Sequence, residues 1–206
     1  MTPAAVLFDL DGVLIDSFEI WRHLLNCALD THGKPLLTAP EFDAIWGQGM
    51  EADIRMFFPG LTVGELQAFY ETRFGSFLDR LKVFPDTRPV VEELRLRGQR
   101  LAIASNSAPR IIEESLIAAD LKGYFPVAVG AGGSLRGKPE PDTLLAALDG
   151  LDAKPEEAIF IGDSPYDMEA GLRAGVRTVG LNQDGDFRIS RLGELLALPI
   201  FHSDSI

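Results

Sequence analysis

Two carboxylates, those of Asp9 and Asp11, lie one residue apart directly after an apolar run, and Gly12 follows them. The apolar residues 6–8 predict a short buried strand. Such a strand places Asp9 at its carboxyl end, where open α/β sheets have their binding crevices. Two like charges this close are costly unless they share a cation or a proton. The pair therefore indicates metal-assisted or acid–base chemistry, with an inert, solvated acidic turn as the alternative.

Three more polar clusters follow later in the chain: Ser105 with Asn106, then Lys138, then Asp163 with Asp167. The first and last of these come directly after apolar runs that predict strands. Because the carboxyl ends of parallel strands meet at one edge of a sheet, we expect the clusters to converge there. Taken singly, each has an ordinary explanation, such as helix capping, a solvated loop lysine or a carboxylate at a helix N-terminus.

Together, these residue types fit phosphoryl transfer through an aspartyl phosphate. One carboxylate attacks phosphorus, and water later hydrolyses the phospho-enzyme. A second carboxylic acid protonates the leaving alcohol and then deprotonates the water. Oxygen ligands hold Mg²⁺, while a hydroxyl, an amide and a lysine bind the remaining phosphate oxygens.

The ordered set of motifs resembles that of the haloacid dehalogenase superfamily of aspartate-nucleophile phosphatases. Within it, the chain is similar to the phosphatase and phosphoglucomutase-like branch with a small α-helical cap, and looks phosphoglycolate phosphatase-like. The motifs that carry the resemblance span nearly the whole chain and are, in order, Phe8-Asp9-Leu10-Asp11-Gly12-Val13-Leu14, then Ser105-Asn106, then Lys138 in Gly137-Lys138-Pro139-Glu140-Pro141, then Gly162-Asp163-Ser164 with Asp167.

The resemblance implies Asp9 as the nucleophile and Asp11 as the general acid/base. It implies Mg²⁺ as the cofactor, held by Asp9, by the backbone carbonyl of Asp11 and by Asp163. It also implies Asp167 as a supporting residue of this metal site. The partner implied is a small phosphorylated metabolite.

Three further residues are implied to bind the phosphate group: Ser105, Asn106 and Lys138. A dehalogenase attacks carbon and needs no acid two residues after its nucleophile, so Asp11 argues against that activity. A sugar-phosphate mutase similar to β-phosphoglucomutase remains an alternative. Its relatives tend to carry a His four residues after the position of Ser17, where this chain has Trp21. A catalytically silent phosphate-binding module is the alternative outside enzymes.

The elements that must position these residues follow an α/β order. Strands alternating with helices predict a doubly wound, Rossmann-like parallel sheet, the core that the resemblance also implies. Residues 18–83 show helical periodicity and two capping boxes, which predicts an all-helical insert without a strand. We expect residues 1–17 and 84–206 to form the catalytic core and 18–83 to form a cap that closes over substrate.

Local patterns give more detailed expectations. The helix that starts after Thr62 is predicted to continue through Phe77, because Leu66, Phe69, Arg73 and Phe77 fall on one helical face. A last helix is predicted over 192–198 and an edge strand over 200–201.

A Gly-flanked turn in the insert supplies four candidates for substrate specificity: Trp46, Gln48, Glu51 and Arg55. Such a turn suits a small polar leaving group, for example that of a sugar phosphate or a hydroxy-acid phosphate. The alternative is that Trp46 belongs to the core of the insert and that the polar residues are solvated.

Composition narrows the class of protein. The 206 residues are 46% hydrophobic and carry a net charge of −12, which disfavours nucleic acid and anionic membranes as partners. The single cysteine, Cys27, excludes an intramolecular disulfide and a multi-cysteine zinc site. No targeting segment or run of transmembrane length is evident, so we expect a cytoplasmic protein that is a monomer or a weak dimer.

Overall fold

A parallel sheet forms the centre of the molecule in the computed structural model, which describes residues 2–202. Over that range the strands are β1 (Ala5–Phe8), β2 (Ile15–Asp16), β3 (Lys82–Val83), β4 (Arg100–Ser105), β5 (Val127–Gly130), β6 (Ala158–Gly162), β7 (Arg177–Leu181) and β8 (Phe187–Ile189). Six of them pair in the order β5-β4-β1-β6-β7-β8, and all five pairings are parallel. The prediction of a doubly wound α/β fold is therefore confirmed.

Helices connect these strands and cover both faces of the sheet. Over residues 2–202 the α-helices are α1 (Phe18–Thr31), α2 (Ala39–Asp43), α3 (Met50–Phe57), α4 (Val63–Glu71), α5 (Thr87–Leu96), α6 (Pro109–Ala118), α7 (Asp142–Gly150) and α8 (Pro165–Ala174). Short 3₁₀ helices add Phe74–Arg80, Lys122–Tyr124, Pro155–Glu157, Leu192–Ala197 and Pro199–Phe201. None of the helices in this part of the chain combines the length and apolar character needed to cross a membrane.

The central strand β1 is apolar because both of its faces are buried. Val6 and Phe8 belong to one hydrophobic cluster, while Ala5 and Leu7 belong to the cluster on the opposite face. Phe8 is in register with Ile103 of β4 on one side and with Ile161 of β6 on the other. These three strands therefore end within two residues of one another, which brings the polar residues at and after their ends to one edge of the sheet.

The helical insert, residues 18–83, has a hydrophobic cluster of its own. Helices α1, α2 and α4 contribute buried residues, among them Leu24, Phe42 and Leu66. Ala108 and Ile111, at and near the start of α6, belong to the same cluster, so the insert packs directly against the sheet domain. A separate apolar cluster supports the proposal that this segment is a distinct cap.

The sequence prediction of an insert without strands was wrong at its carboxyl end. β2 and β3 pair antiparallel, with Ile15 opposite Val83 and Asp16 opposite Lys82. This two-residue ribbon lies where the chain passes from the core into the insert and where it returns to the core. Strands this short show no alternating pattern, and their pairing connects residues far apart in sequence, so local periodicity misses them.

Two other elements also differ from the predictions. The helix after Thr62 ends at Glu71 and is followed by the 3₁₀ helix Phe74–Arg80, in which Phe74 is fully buried. The edge strand is Phe187–Ile189, and residues 199–201 form a 3₁₀ helix instead. The predicted last helix is present as the 3₁₀ helix Leu192–Ala197. An apolar face alone does not distinguish a short α-helix from a 3₁₀ helix or a strand, because packing can bury the same residues in each of these conformations. Residues 203–206 lie outside the described residues.

Candidate active site

Asp9 lies at the carboxyl end of β1 and is only 7% exposed. Its Oδ1 accepts a hydrogen bond from the backbone N–H of Leu10 at 2.7 Å and lies 2.8 Å from the ammonium of Lys138. Burial raises the pKa of Asp9 well above its ordinary value. Lys138 opposes this shift, and the neighbouring carboxylates, first Asp167 and then Asp163, reinforce it. A carboxylate in this position therefore favours a cationic partner.

Lys138 is buried between two carboxylates. Its Nζ lies 2.8 Å from Asp9 Oδ1 and 2.6 Å from Asp167 Oδ1. Burial lowers the pKa of Lys138, but Asp167 and Asp9 outweigh this effect and hold the pKa above its ordinary value. The lysine is therefore a fixed positive charge at the end of β1.

Asp167 is oriented by the N-terminus of α8. Ser164 is the N-cap residue, and its N–H and hydroxyl donate to Asp167 Oδ2 at 3.0 and 2.5 Å. The other oxygen, Oδ1, accepts from Lys138. Since both oxygens of this fully buried carboxylate have donors, its main role in the geometry is to hold Lys138 in place.

Asp163 follows β6 and is short of hydrogen bonds. Its Oδ2 accepts from Trp46 Nε1 at 2.9 Å, whereas Oδ1 is buried and has no hydrogen-bond partner among residues 2–202. Burial raises the pKa of Asp163 to about 7; Asp167 adds to this shift, while Trp46 and Lys138 oppose it. Gly12, at φ +84°, leaves room for the carboxylate, because a Cβ there would lie 1.9 Å from Asp163 Oδ2.

The residues present fit a divalent cation. Carboxylate oxygens of Asp9, Asp163 and Asp167 lie within 4.8 Å of one another, and all three residues are buried or half-buried. The unpartnered Oδ1 of Asp163 supplies an oxygen ligand with no other bond to satisfy it. Hard oxygen donors of this kind are typical of Mg²⁺ sites. A cation would also offset the repulsion among these carboxylates.

The carboxylate of Asp11 is held by side chains of both the insert and the core. It accepts hydrogen bonds from the Ser17 hydroxyl, from Trp21 Nε1 at 3.0 Å and from Ser107 Oγ at 2.7 Å. Trp21 belongs to α1 of the insert and Ser107 to the loop after β4. Asp11 is thus held between the two parts of the molecule.

Ser105 and Asn106, at and after the end of β4, have different surroundings. Ser105 is buried, and its hydroxyl accepts from the backbone N–H of Ser107 at 3.1 Å. Asn106 Oδ1 accepts from the backbone N–H of Lys138 at 2.5 Å, and its Nδ2 donates to the carbonyls of Lys138 and Gly47, both at 3.2 Å. The Asn106 amide therefore ties together the loop of Lys138 and the turn of the insert.

A cavity of about 90 Å³ opens between the sheet edge and the insert. We call it the active-site cavity, and its polar lining residues are Asp9, Asp11, Trp21, Trp46, Gln48, Asp53, Gln67, Tyr70, Ser105, Asn106, Ser107 and Lys138. Of the four specificity candidates in the insert, Trp46 and Gln48 line this cavity. Glu51 and Arg55 are not among its lining residues, and Arg55 is exposed.

Sequence reasoning missed several residues that contact the site, and four of them show why. Ser107 was visible in the same motif as Ser105, and Ser164 lies next to Asp163 as a recognisable N-cap. Asp53 and Tyr70 had no comparable signal. They reach the cavity from two separate helices of the insert, and only the packing of these helices brings them together.

Residues 6–181 match the family model described as haloacid dehalogenase-like hydrolase. The chain belongs to this family. The resemblance inferred from the motifs is therefore confirmed, and this haloacid dehalogenase-like protein is a hydrolase of the phosphatase type.

Individual relatives agree with this family membership. This hydrolase is 31% identical to the phosphoglycolate phosphatase of Aquifex aeolicus, over 94% of this chain and 95% of the relative. It is 29% identical to the phosphorylated carbohydrates phosphatase of Thermotoga maritima, over 85% of this chain and 83% of that protein. The crystal structure of CbbY from Rhodobacter sphaeroides in complex with phosphate has the same fold, with a TM-score of 0.82 at 22% identity, covering 94% of this chain and 96% of CbbY.

Proposed function

We propose that this phosphatase hydrolyses phosphomonoesters of small metabolites with the help of Mg²⁺ and through an aspartyl phosphate on Asp9. The observation that carries the proposal is the arrangement around Asp9. A single buried carboxylate at the base of the cavity is fixed by the Leu10 N–H and by Lys138, with Asp163 and Asp167 beside it. This is the environment that a carboxylate nucleophile for phosphorus requires.

Asp9 attacks the phosphorus of the ester in the first step. Its two donors hold the carboxylate in one orientation, so the attack needs little reorganisation. The phosphorus–oxygen bond to the alcohol breaks, and the phosphoryl group remains on Asp9 as an acyl phosphate. Water then attacks this phosphorus and releases inorganic phosphate, which restores the carboxylate.

Asp11 is the proton carrier for both steps. Its protonated carboxyl donates a proton to the leaving alcohol, and the resulting carboxylate takes a proton from the attacking water. Ser107 and Trp21 bind this carboxyl group from opposite sides, and both line the active-site cavity. They hold it beside the space in which the ester oxygen must lie.

Lys138 and Ser105 are the groups we assign to the phosphate oxygens. Lys138 supplies a permanent positive charge next to Asp9, and the Ser105 hydroxyl lines the cavity at the end of β4. The side-chain amide of Asn106 is already hydrogen-bonded to the backbone of Lys138 and Gly47, so we assign it the role of positioning the Lys138 loop. When bound, Mg²⁺ neutralises phosphate charge and polarises the phosphoryl group; Asp9 and Asp163 would hold it, with Asp167 in support.

The mutase alternative is disfavoured by the charges of the cavity. A sugar-phosphate mutase must hold a second phosphate on its substrate. Among the described residues that line the cavity, Lys138 is the only cation, and it is paired with Asp9 and Asp167. A silent binding module is disfavoured because the nucleophile, the acid/base and the lysine are all present and ordered around one cavity.

Replacing Asp9 by Asn tests the proposal. The change is nearly isosteric but removes the nucleophile, so we expect release of phosphate from a small ester to fall to the background rate. With the unaltered protein, brief incubation and acid quenching should trap a phosphoryl group on the peptide that contains Asp9. The matched control is Asp184→Asn, which changes a carboxylate that is 91% exposed. Wild-type turnover by Asp9→Asn, or activity that is indifferent to EDTA, would contradict the proposal.

A further inference from the structure

The side of the active-site cavity formed by the insert carries a carboxylate that ester hydrolysis does not use. Asp53, on α3, lines this cavity, and its Oδ1 accepts a hydrogen bond from Gln48 Nε2 at 2.6 Å. Tyr70, on α4, lines the same wall. Its hydroxyl is buried and has no hydrogen-bond partner among residues 2–202. It is close enough to Asp53 to lower the pKa of that carboxyl. Gln48, Asp53 and Tyr70 are hereafter the insert triad.

The charges around this triad restrict the leaving group. The phosphate must lie at the other end of the cavity, next to Asp9 and Lys138, so the rest of the substrate faces the insert. Among the described lining residues there is no cation besides Lys138, which already pairs with two carboxylates. A second negative charge on the substrate would therefore find no counterion at the triad and would face Asp53.

Hydroxyl groups match the triad better than either kind of charge. A hydroxyl both donates and accepts, and the triad offers an acceptor at Asp53 together with donors at Gln48 and Tyr70. The charge of Asp53 attracts an ammonium group, but an ammonium only donates and cannot accept from the Gln48 amide or the Tyr70 hydroxyl. The remaining wall is apolar, with Phe42, Ile45 and others, and suits the carbon skeleton of a polyol or a sugar.

We propose, on the basis of the proposed function, that Asp53 is a specificity-determining residue. It accepts hydrogen bonds from the hydroxyl groups of an uncharged, hydroxylated leaving group and rejects substrates that carry a second negative charge. The proposal separates two kinds of substrate that are named for relatives. Phosphoglycolate carries a carboxylate on its leaving group, whereas phosphorylated carbohydrates carry hydroxyls.

Three esters of equal length test the proposal, because they differ only in the terminal group of the leaving alcohol. They are 2-hydroxyethyl phosphate, 2-phosphoglycolate and 2-aminoethyl phosphate, assayed above neutral pH with Mg²⁺. We expect kcat/KM for the hydroxyethyl ester to exceed that for phosphoglycolate at least about tenfold, mainly through KM, because like charges repel in a partly buried site. Equal or better use of phosphoglycolate, or a preference for the aminoethyl ester, would overturn the proposal.

Asp53→Asn identifies the residue responsible. The amide keeps the shape and the acceptor for Gln48 but removes the charge, so the disadvantage of phosphoglycolate should shrink at least about fivefold. Asp53→Ser should do the same if the amide is poorly accommodated. Asp184→Asn, which changes an exposed carboxylate outside the cavity lining, is the control and should leave the ratio unchanged. A ratio that is the same in the wild type and both Asp53 variants would refute the role of this carboxylate.

One further substrate separates this inference from the proposed function. p-Nitrophenyl phosphate has an activated leaving group without additional charge and depends on Asp9 far more than on the insert. If the wild type hydrolyses it but shows no preference among the three short esters, only the specificity inference fails. If the wild type hydrolyses none of the four esters with Mg²⁺, the proposed function fails, and the inference fails with it.

Discussion

The carboxylate of Asp53 should reduce the stability of the folded protein as pH rises. Burial raises the pKa of this group to about 7 from an ordinary value of 3.8, while the hydrogen bond from Gln48 and, after it, the neighbouring Tyr70 hydroxyl oppose this shift. The folded state therefore retains a proton on Asp53 at pH values at which the unfolded chain has already lost it. Replacing Asp53 by Asn removes this titration and keeps the acceptor for Gln48.

The size and sign of the effect follow from proton linkage. Below about pH 4 the carboxyl is protonated in both states, and its pKa shift contributes nothing. Between about pH 4 and pH 7 the unfolded state ionises first, so the free energy of unfolding falls as pH rises. A shift of about three pKa units corresponds to about 4 kcal/mol at 1.36 kcal/mol per unit, reached just above pH 7. We expect Asp53→Asn to recover this amount, which makes the variant progressively more stable than wild type towards alkaline pH.

Urea unfolding of both proteins at a series of pH values, with EDTA present, measures this difference directly. Excluding divalent cations keeps the acidic group around Asp9 in the same state in both proteins, so its contribution cancels in the comparison. Asp184→Asn serves as the control for the loss of a carboxylate elsewhere on the protein, because its side chain is 91% exposed. A difference in unfolding free energy that stays constant with pH, or a variant that loses stability as pH rises, would refute the reasoning.

Three further substitutions test the geometry around the nucleophile. Asp11→Asn should lower kcat for an alkyl phosphate by about 10²–10⁴, because an amide cannot donate the required proton, and an unchanged kcat would contradict the role of Asp11. Lys138→Met should cost about 3–5 kcal/mol in urea unfolding at neutral pH, since Asp9 and Asp167 lose their buried partner; an unaltered midpoint would show that the pair is not stabilising. Gly12→Ala should cost about 1–3 kcal/mol by backbone strain alone and weaken Mg²⁺ binding measured by calorimetry, as its Cβ would collide with Asp163; intact affinity would contradict the placement of that carboxylate.

Local sequence was sufficient wherever a single strand and the turn after it determine the geometry. β1 could be predicted because residues 5–8 are buried on both faces and therefore uniformly apolar. The polar residues after β1, β4 and β6 could then be placed at one edge, because parallel strands in register end together. The structure brings Asp9, Lys138, Asp163 and Asp167 into direct contact or close proximity as that argument expected.

Features that depend on packing between distant segments could not be predicted in this way. The ribbon between residues 15–16 and 82–83 is too short for a periodic signal. In the sequence, Asp53 looks like an ordinary solvated residue of an amphipathic helix. Only the packing of α4 against α3 brings Tyr70 beside it. Arg55 illustrates the opposite error: it lies one turn or less from residues of the cavity, but the phase of α3 turns it towards solvent. Sequence spacing alone does not show which residues of α3 face the cavity.

The turn at residues 46–49 connects the proposed cap with the chemistry of the core. Trp46 Nε1 donates to Asp163 Oδ2, and the carbonyl of Gly47 accepts from Asn106, the residue that also holds the Lys138 loop. Two hydrogen bonds of this kind, one of them to a carboxylate, contribute about 2–4 kcal/mol, an amount that thermal motion can break within a turnover. Opening of the insert would leave Asp163 without its only described donor and admit substrate and cation together. In the proposed mechanism, closing would restore the bond and exclude water from Asp9 during the attack on the ester.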